Sequence, residues 1–166
     1  MGGKTFMLMA GGTGGHIFPA LAVAEALKAA GQHVIWLGSE GSMEERIVPQ
    51  HDILLEKLAI KGVRGNGIKR KLMLPFTLFK TIREAQRIIR KHRVACVIGF
   101  GGFVTFPGGV AAKLCGVPVV IHEQNAVAGL SNRMLAKIAR RVLYAFPQAF
   151  GAEDGLVGNP VRADIA

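Results

Sequence analysis

The chain has 166 residues, half of them hydrophobic, and a formal net charge of +10, so it can bury a substantial core and has room for about one domain. Its two cysteines, Cys96 and Cys115, lack metal-ligand spacing and are fewer than small secreted scaffolds usually carry, which favours a reduced, cytosolic setting. The first apolar stretch, Thr5–Ala10, is too short for a signal-peptide core, and no run approaches the roughly 18 residues of a spanning helix, so we expect neither export nor membrane insertion.

Short apolar strands alternate with helices along the chain. The predicted elements are a strand at Thr5–Ala10, a helix at Pro19–Ala30 with proline in its first turn, a strand at His33–Leu37, a short helix near Met43–Val48, a strand near Ile53–Ala59, a mostly helical segment from Arg70 to Arg93 with a break or restart at Pro75, a strand at Val94–Phe100, a helix at Pro107–Leu114, a strand at Val117–His122, a helix at Ala128–Ala139 and a strand at Arg141–Phe146. Near-continuous apolar strands separated by helices indicate a parallel sheet covered on both faces. The predicted fold class is therefore α/β, a doubly wound parallel sheet over residues 1–150, and residues 151–166 are predicted to be a linker.

Two glycine-rich loops follow predicted strands, Gly11–His16 after the first and Gly99–Phe103 at the end of the fourth. In a doubly wound sheet, ligands bind beyond the carboxyl ends of the strands, where the strand order reverses. Glycine lets backbone amides approach a ligand closely, and the following helix start adds unpaired N–H donors, which suits a diphosphate. The first loop matches neither the nicotinamide fingerprint, because Ile17 stands where its last glycine belongs, nor a Walker loop.

Histidines at two strand ends are the candidate proton-transfer groups. His16 opens onto the predicted crevice, and its imidazole could accept a proton near neutral pH. The alternative is a histidine that caps the helix or binds a backbone carbonyl. The second cluster is His122-Glu123-Gln124-Asn125, at the end of the fifth strand, where His122 could equally hold its loop by hydrogen bonds.

The segment 61–93 contains eleven basic residues and one acid, and so carries the whole net charge. Its charges are interleaved with apolar side chains, a combination that favours an anionic membrane surface over nucleic acid. We predict membrane contact and no nucleic-acid binding; the alternative is that the apolar side chains fill the core. The predicted membrane residues are Ile68, Lys69, Arg70, Lys71, Leu72, Leu74, Phe76, Phe79, Lys80 and Arg83. A second set at helical spacing is predicted to face the core: Leu78, Ile82, Ala85 and Ile89.

Five motifs occur in series: AGGTGGHIFP at 10–19, GVRGNG at 62–67, GGFVTFPGG at 101–109, HEQNAVAG at 122–129 and VGNPVR at 157–162. Together they resemble, over essentially the whole chain, the MurG family of peripheral N-acetylglucosaminyltransferases in bacterial peptidoglycan synthesis. The resemblance implies one half of a GT-B protein with two Rossmann-like domains. That family transfers N-acetylglucosamine from UDP-N-acetylglucosamine to the 4-hydroxyl of the muramoyl sugar of lipid I, giving lipid II with inversion.

The resemblance also implies roles for individual residues. His16 is the candidate general base, with Glu123 in support. The residues implied on the UDP-N-acetylglucosamine side are Thr13, Gly14, Gly15, Asn125 and Arg162. Those implied on the acceptor side are Gly11, Gly12, Gly101, Gly102, Phe103, His122 and Gln124. Phe103 stands where some relatives have tyrosine, which removes a hydroxyl from the second loop.

By this resemblance, the chain corresponds to the acceptor-side domain and the start of the interdomain linker, without the C-terminal donor domain. We therefore expect it to be inactive alone and peripheral at the cytoplasmic face of the inner membrane. No metal or cofactor is required by the fold, although a divalent cation could accompany the acceptor pyrophosphate. The alternative function is a stand-alone acceptor-binding, membrane-recruiting subunit of a split glycosyltransferase.

Overall fold

Six parallel strands form the central sheet of the computed structural model, which describes residues 2–60, 67–151 and 154–161. The strands are β1 (Thr5–Ala10), β2 (His33–Ser39), β3 (Leu54–Leu58), β4 (Cys96–Gly101), β5 (Val119–Glu123) and β6 (Arg141–Tyr144). Their spatial order is β3-β2-β1-β4-β5-β6. The predicted doubly wound parallel sheet is confirmed. The strand order reverses between β1 and β4, the two strands that the glycine loops follow.

Helices cover both faces of the sheet. They are α1 (Gly14–Ala29), α2 (Met43–Ile47), α3 (Ile68–Lys91), α4 (Thr105–Leu114) and α5 (Leu130–Leu135), with short 3-10 turns at Val48–His51 and Pro147–Ala149. Because β1 lies in the middle of the sheet, its side chains from Met7 to Ala10 are fully buried. They divide between two cores, one against α1 and one against α3, α4 and α5.

The first helix starts earlier than predicted. The Thr13 carbonyl accepts hydrogen bonds from the amides of His16 and Ile17, which closes the first turn five residues before Pro19. The proline therefore lies inside α1 rather than in its first turn. Its missing N–H leaves the Gly15 carbonyl without a helical partner, and Gly15 is solvent-exposed, where water can reach that oxygen.

The basic segment forms one helix, α3, which runs through Pro75 without the predicted break or restart. Its predicted core stripe is confirmed for three of its four residues: Ala85 and Ile89 are buried, and Ile82 packs against the same core, whereas Leu78 is only half-buried and lies outside that cluster. In the described ranges, no helix combines the length and the apolarity needed to cross a bilayer.

The last predicted helix is shorter than expected. α5 covers Leu130–Leu135 instead of Ala128–Ala139, because the amides of Lys137 and Ile138 bond three residues back and so form tight turns.

The described part of the predicted linker returns to the sheet. Leu156 makes an isolated parallel bridge with Tyr144 at the end of β6. The Tyr144 amide donates to the Gly155 carbonyl, and the Val157 amide donates to the Tyr144 carbonyl, each at 3.0 Å. The segment 154–161 therefore lies at the same sheet edge as the two glycine loops.

Candidate functional site

The two glycine loops touch each other beyond the ends of β1 and β4. The Gly11 amide donates to the Gly101 carbonyl at 3.3 Å. A Cβ added at Gly102, whose φ is +95°, would lie 2.4 Å from the Gly11 carbonyl oxygen. Only glycine permits this approach in that conformation. The crevice predicted from the strand order is thus walled by both loops.

His16 lies in this crevice with one ring nitrogen occupied. Its Nδ1 is 3.2 Å from the Gly11 carbonyl oxygen and 3.3 Å from Thr13 Oγ1. A carbonyl can only accept, so Nδ1 carries the proton in the neutral ring, and Nε2 keeps its lone pair. Nε2 has no hydrogen-bond partner among the described residues and faces Gly101, where an added Cβ would lie 2.8 Å from it.

Part of the alternative interpretation of His16 is therefore correct. Its side chain does bind a backbone carbonyl, that of Gly11, but it does not cap α1, whose N-cap is Thr13. The carbonyl bond uses Nδ1 alone. It leaves the basic nitrogen free for proton transfer, so the two interpretations are compatible.

The helix start, rather than the first two glycines, offers amides to a ligand. The Gly11 amide binds Gly101, and the Gly12 amide faces Glu44 Oε2 at 3.4 Å. The first amides of α1, at Gly14 and Gly15, have no partner within the helix and carry its positive dipole end. An anion would therefore bind at the start of α1, and Gly11 and Gly12 shape the loop beneath it.

Glu44 is a site residue that the sequence analysis missed. It lies on α2, is fully buried, and its carboxylate reaches both the first loop and the end of β2. A signal was present in the sequence: Gly38 interrupts a buried strand, which indicates a close approach by another group. A Cβ at Gly38 would lie 2.7 Å from Glu44 Cγ.

A cavity of about 460 Å³ adjoins the first loop over the ends of β1 and β2. Phe103, 41% exposed, forms part of its wall together with the start of α4. Its lining residues are Gly11, Gly12, Ser39, Glu40, Gly41, Ser42, Met43, Arg46, Phe103 and Val104. Several of these lining side chains are polar or charged, and the cavity adjoins the loop that also contains His16.

His122 is buried, with both ring nitrogens in use. Nε2 donates to the Gly158 carbonyl at 2.9 Å, and Nδ1 is 3.0 Å from Gln124 Nε2, which also donates to the His122 carbonyl. Burial lowers the pKa of His122, because desolvation opposes its charged form. Through these contacts, His122 and Gln124 hold the segment that contains Gly158. They support the structural alternative for His122, in which its side chain holds its loop by hydrogen bonds.

Glu123 is also buried and fully bonded. Its Oε1 accepts from the amide and side chain of Asn125, and its Oε2 accepts from the Gly129 amide and Asn132 Nδ2, at distances of 2.9–3.2 Å. The supporting base role remains a prediction, but this carboxylate orders its loop. Asn125 is thereby held at the exposed edge.

The remaining predicted site residues fall in three groups. Arg162 lies outside the described residues, as do the side chains of Lys69, Arg70 and Lys71. The apolar members on α3 are exposed rather than in the core, so the core alternative is wrong for them: Ile68, Leu72, Leu74, Phe76 and Phe79. Lys80 and Arg83 are exposed beside them. Together with Phe76 and Phe79, these two basic residues line a cavity of about 550 Å³.

Comparison with known proteins assigns the chain to a family. Residues 6–144 match the glycosyltransferase family 28 N-terminal domain. A relative from Neisseria meningitidis serogroup A (strain Z2491), named UDP-N-acetylglucosamine–N-acetylmuramyl-(pentapeptide) pyrophosphoryl-undecaprenol N-acetylglucosamine transferase, is 84% identical over all 166 residues. A relative of the same name from Shewanella amazonensis is 52% identical over 163 residues. The chain spans 47% and 45% of the lengths of these two relatives.

Solved structures agree with the family assignment. The crystal structure of Acinetobacter baumannii MurG superimposes with a TM-score of 0.84 at 48% identity, covering 95% of this chain and 46% of that one. A putative UDP-N-acetylglucosamine 2-epimerase from Listeria monocytogenes has a TM-score of 0.67 at 14% identity, covering 89% and 41%. The second likeness shows the fold alone.

Proposed function

Because the chain belongs to glycosyltransferase family 28, as an N-terminal domain of that family, we propose that it is the acceptor-side domain of an inverting N-acetylglucosaminyltransferase. The donor is UDP-N-acetylglucosamine, and the acceptor is the muramoyl sugar of undecaprenyl-pyrophosphate-linked lipid I. The product is lipid II, made at the cytoplasmic face of the inner membrane. The observation that carries this proposal is the 84% identity, over every residue of the chain, to a relative named for this reaction.

His16 supplies the proton acceptor in this proposal. Its unpartnered Nε2 takes the proton from the acceptor 4-hydroxyl as that oxygen attacks C1 of the donor sugar. The new C1–O bond forms on the face opposite the departing UDP, so the C1–O bond to the β-phosphate breaks with inversion. The charge that develops on the imidazole is balanced by the carbonyl of Gly11 on Nδ1.

The start of α1 is proposed to bind the diphosphate of UDP-N-acetylglucosamine, the substrate that the resemblance implies for Gly14 and Gly15, while the remaining glycines of the two loops face the acceptor. The free amides of Gly14 and Gly15 point along the helix dipole toward an anion, and the adjacent cavity leaves room for the sugar. Asn125, held by Glu123, is proposed to contact the UDP-sugar from the other side of the crevice. These groups position the two substrates for the transfer.

Membrane docking through α3 completes the proposal. Ile68, Leu72, Phe76 and Phe79 recur at steps of four, four and three residues, which places them on one exposed stripe of the helix. A stripe of large apolar side chains beside exposed Lys80 and Arg83 suits an anionic bilayer. The acceptor carries a polyprenyl chain, so an enzyme that meets its headgroup must lie at that surface.

A hybrid protein tests the proposed reaction. These 166 residues would replace the matching segment of the Neisseria meningitidis relative, and the hybrid would be assayed with UDP-N-acetylglucosamine and a lipid I analogue. We expect turnover close to that of the relative. A folded hybrid without turnover would contradict the proposal.

The same hybrid tests the role of His16. We expect His16→Gln to lower kcat by about 100-fold, the usual contribution of a general base, with nearly unchanged donor affinity. His33→Gln, at an exposed position outside the crevice, is the matched control. A near-normal kcat with a lower melting temperature would assign His16 a structural role instead.

A further inference from the structure

Glu44 is a fully buried carboxylate whose hydrogen-bond partners all belong to Gly12, just beyond β1, and Ser39, at the end of β2. Oε1 accepts from the Ser39 amide at 3.1 Å and from Ser39 Oγ at 3.2 Å, and Oε2 faces the Gly12 amide at 3.4 Å. No basic side chain pairs with it in the described part of the chain. A buried carboxylate is costly unless its hydrogen bonds replace those of water, so these donors fix where Glu44 sits.

The carboxylate lies directly against the first glycine loop. A Cβ at Gly11 would be 2.8 Å from Glu44 Oε1, so the loop and the carboxylate approach as closely as glycine allows. Rotation of the loop would therefore require movement of a fully buried side chain. Glu44 thus limits the conformations open to the Gly11–Gly12 peptide.

One peptide group joins Glu44 to His16. The N–H of the Gly11–Gly12 peptide is the Gly12 amide that faces Glu44, and its C=O is the Gly11 carbonyl that accepts from His16 Nδ1. The negative charge favours this orientation of the peptide dipole and polarises its carbonyl, because hydrogen bonds in a chain strengthen one another. A stronger acceptor at Gly11 holds the proton on Nδ1.

We propose that Glu44 is a positioning residue that, through the Gly11–Gly12 peptide, holds His16 in the tautomer with a free Nε2. The tautomer is inferred from the Gly11 carbonyl contact; its importance for catalysis rests on the proposed function. Glu44 itself does not contact the substrate.

Nitrogen-15 NMR of labelled histidines in the 166-residue chain tests the proposal without any activity measurement. At mildly alkaline pH, the wild-type spectrum should show His16 protonated on Nδ1 and bare on Nε2. A His16 ring protonated on Nε2 in the wild-type chain would overturn the proposal, whether or not any variant folds.

The Glu44→Gln variant tests the influence of the carboxylate. We expect the Nε2-protonated form of His16 to rise about fivefold, as for the loss of one ordinary hydrogen bond, while the buried His122 ring, with its own partners, keeps its signals. Glu45→Gln is the matched control, because the Glu45 carboxylate, next to Glu44 in the chain, binds Lys57 at the surface. This variant should leave the His16 spectrum unchanged. An unchanged His16 spectrum in folded Glu44→Gln would refute the influence of Glu44.

In the hybrid enzyme, Glu44→Gln should lower kcat, by no more than about fivefold through the tautomer shift alone, while KM for UDP-N-acetylglucosamine stays the same. A rise in that KM at constant kcat would contradict the positioning role. An inactive wild-type hybrid would count against the proposed function alone, since the tautomer is read in the isolated chain.

Discussion

Replacing Phe76 and Phe79 with serine should weaken membrane binding without unfolding the domain. The two rings are 65% and 62% exposed, so most of their surface is available to a bilayer and little of it stabilises the core. Complete burial of such a side chain contributes about 1.5–3 kcal/mol, and the exposed fraction scales this to about 1–2 kcal/mol for each ring. The pair should contribute about 2–4 kcal/mol, which is about 30- to 700-fold in binding.

Co-sedimentation with anionic vesicles at low salt measures this change. Leu114→Ser is the matched control: Leu114 is 64% exposed but lies at the end of α4, at the sheet edge opposite the glycine loops. It should bind vesicles like the wild-type chain. Added salt should weaken wild-type binding further, because each nearby Lys or Arg contributes about 1 kcal/mol on anionic lipid.

Three results would refute the docking surface. They are a wild-type chain that ignores anionic vesicles at low salt, a double variant that binds as well as Leu114→Ser, and a double variant that unfolds. The last would mean that the two rings support the core after all, against their exposure in the structure.

Two further predictions concern the loops at the same edge. Because burial lowers the pKa of His122, the folded state disfavours its charged form. The free energy of unfolding should therefore fall as pH drops below about 6.5, the unperturbed histidine pKa. The His122→Gln variant, whose side chain can still donate to the Gly158 carbonyl, should flatten that decline in denaturant titrations. Gly102→Ala should destabilise the chain by about 3 kcal/mol, because left-handed strain of about 1–2 kcal/mol adds to the clash with Gly11. Gly12→Ala, with φ +88° but open space around it, should show the strain alone in thermal melts; equal losses for both variants would rule out the clash.

Local patterns were sufficient to predict the sheet. β1 begins and ends where its apolar run does, at Thr5 and Ala10, because a strand buried on both faces has a continuous hydrophobic signal. The glycine loops then located the crevice, since ligands bind where the strand order reverses. These inferences needed only neighbouring residues and one topological rule.

Features that depend on tertiary contacts were missed. Glu44 and Glu45 are neighbours of the same type, and the sequence does not distinguish the buried one beneath the loop from the exposed one on Lys57. The segment around Leu156 has no periodic pattern, yet it pairs with Tyr144 because the edge of β6 offers unpaired backbone groups. Glu44 and the loop above it, like Leu156 and Tyr144, are separated in the sequence, so no local pattern links them.

The two histidines at this edge differ in their partners rather than in their residue type. His122 uses both nitrogens internally, on Gly158 and Gln124, so a proton could be added to it only by breaking one of those bonds. His16 uses Nδ1 alone, and its Nε2 has no hydrogen-bond partner among the described residues. Variants at His122 should therefore act through stability, and variants at His16 through turnover, so that comparing kcat with melting temperature for the two separates structure from chemistry at the site.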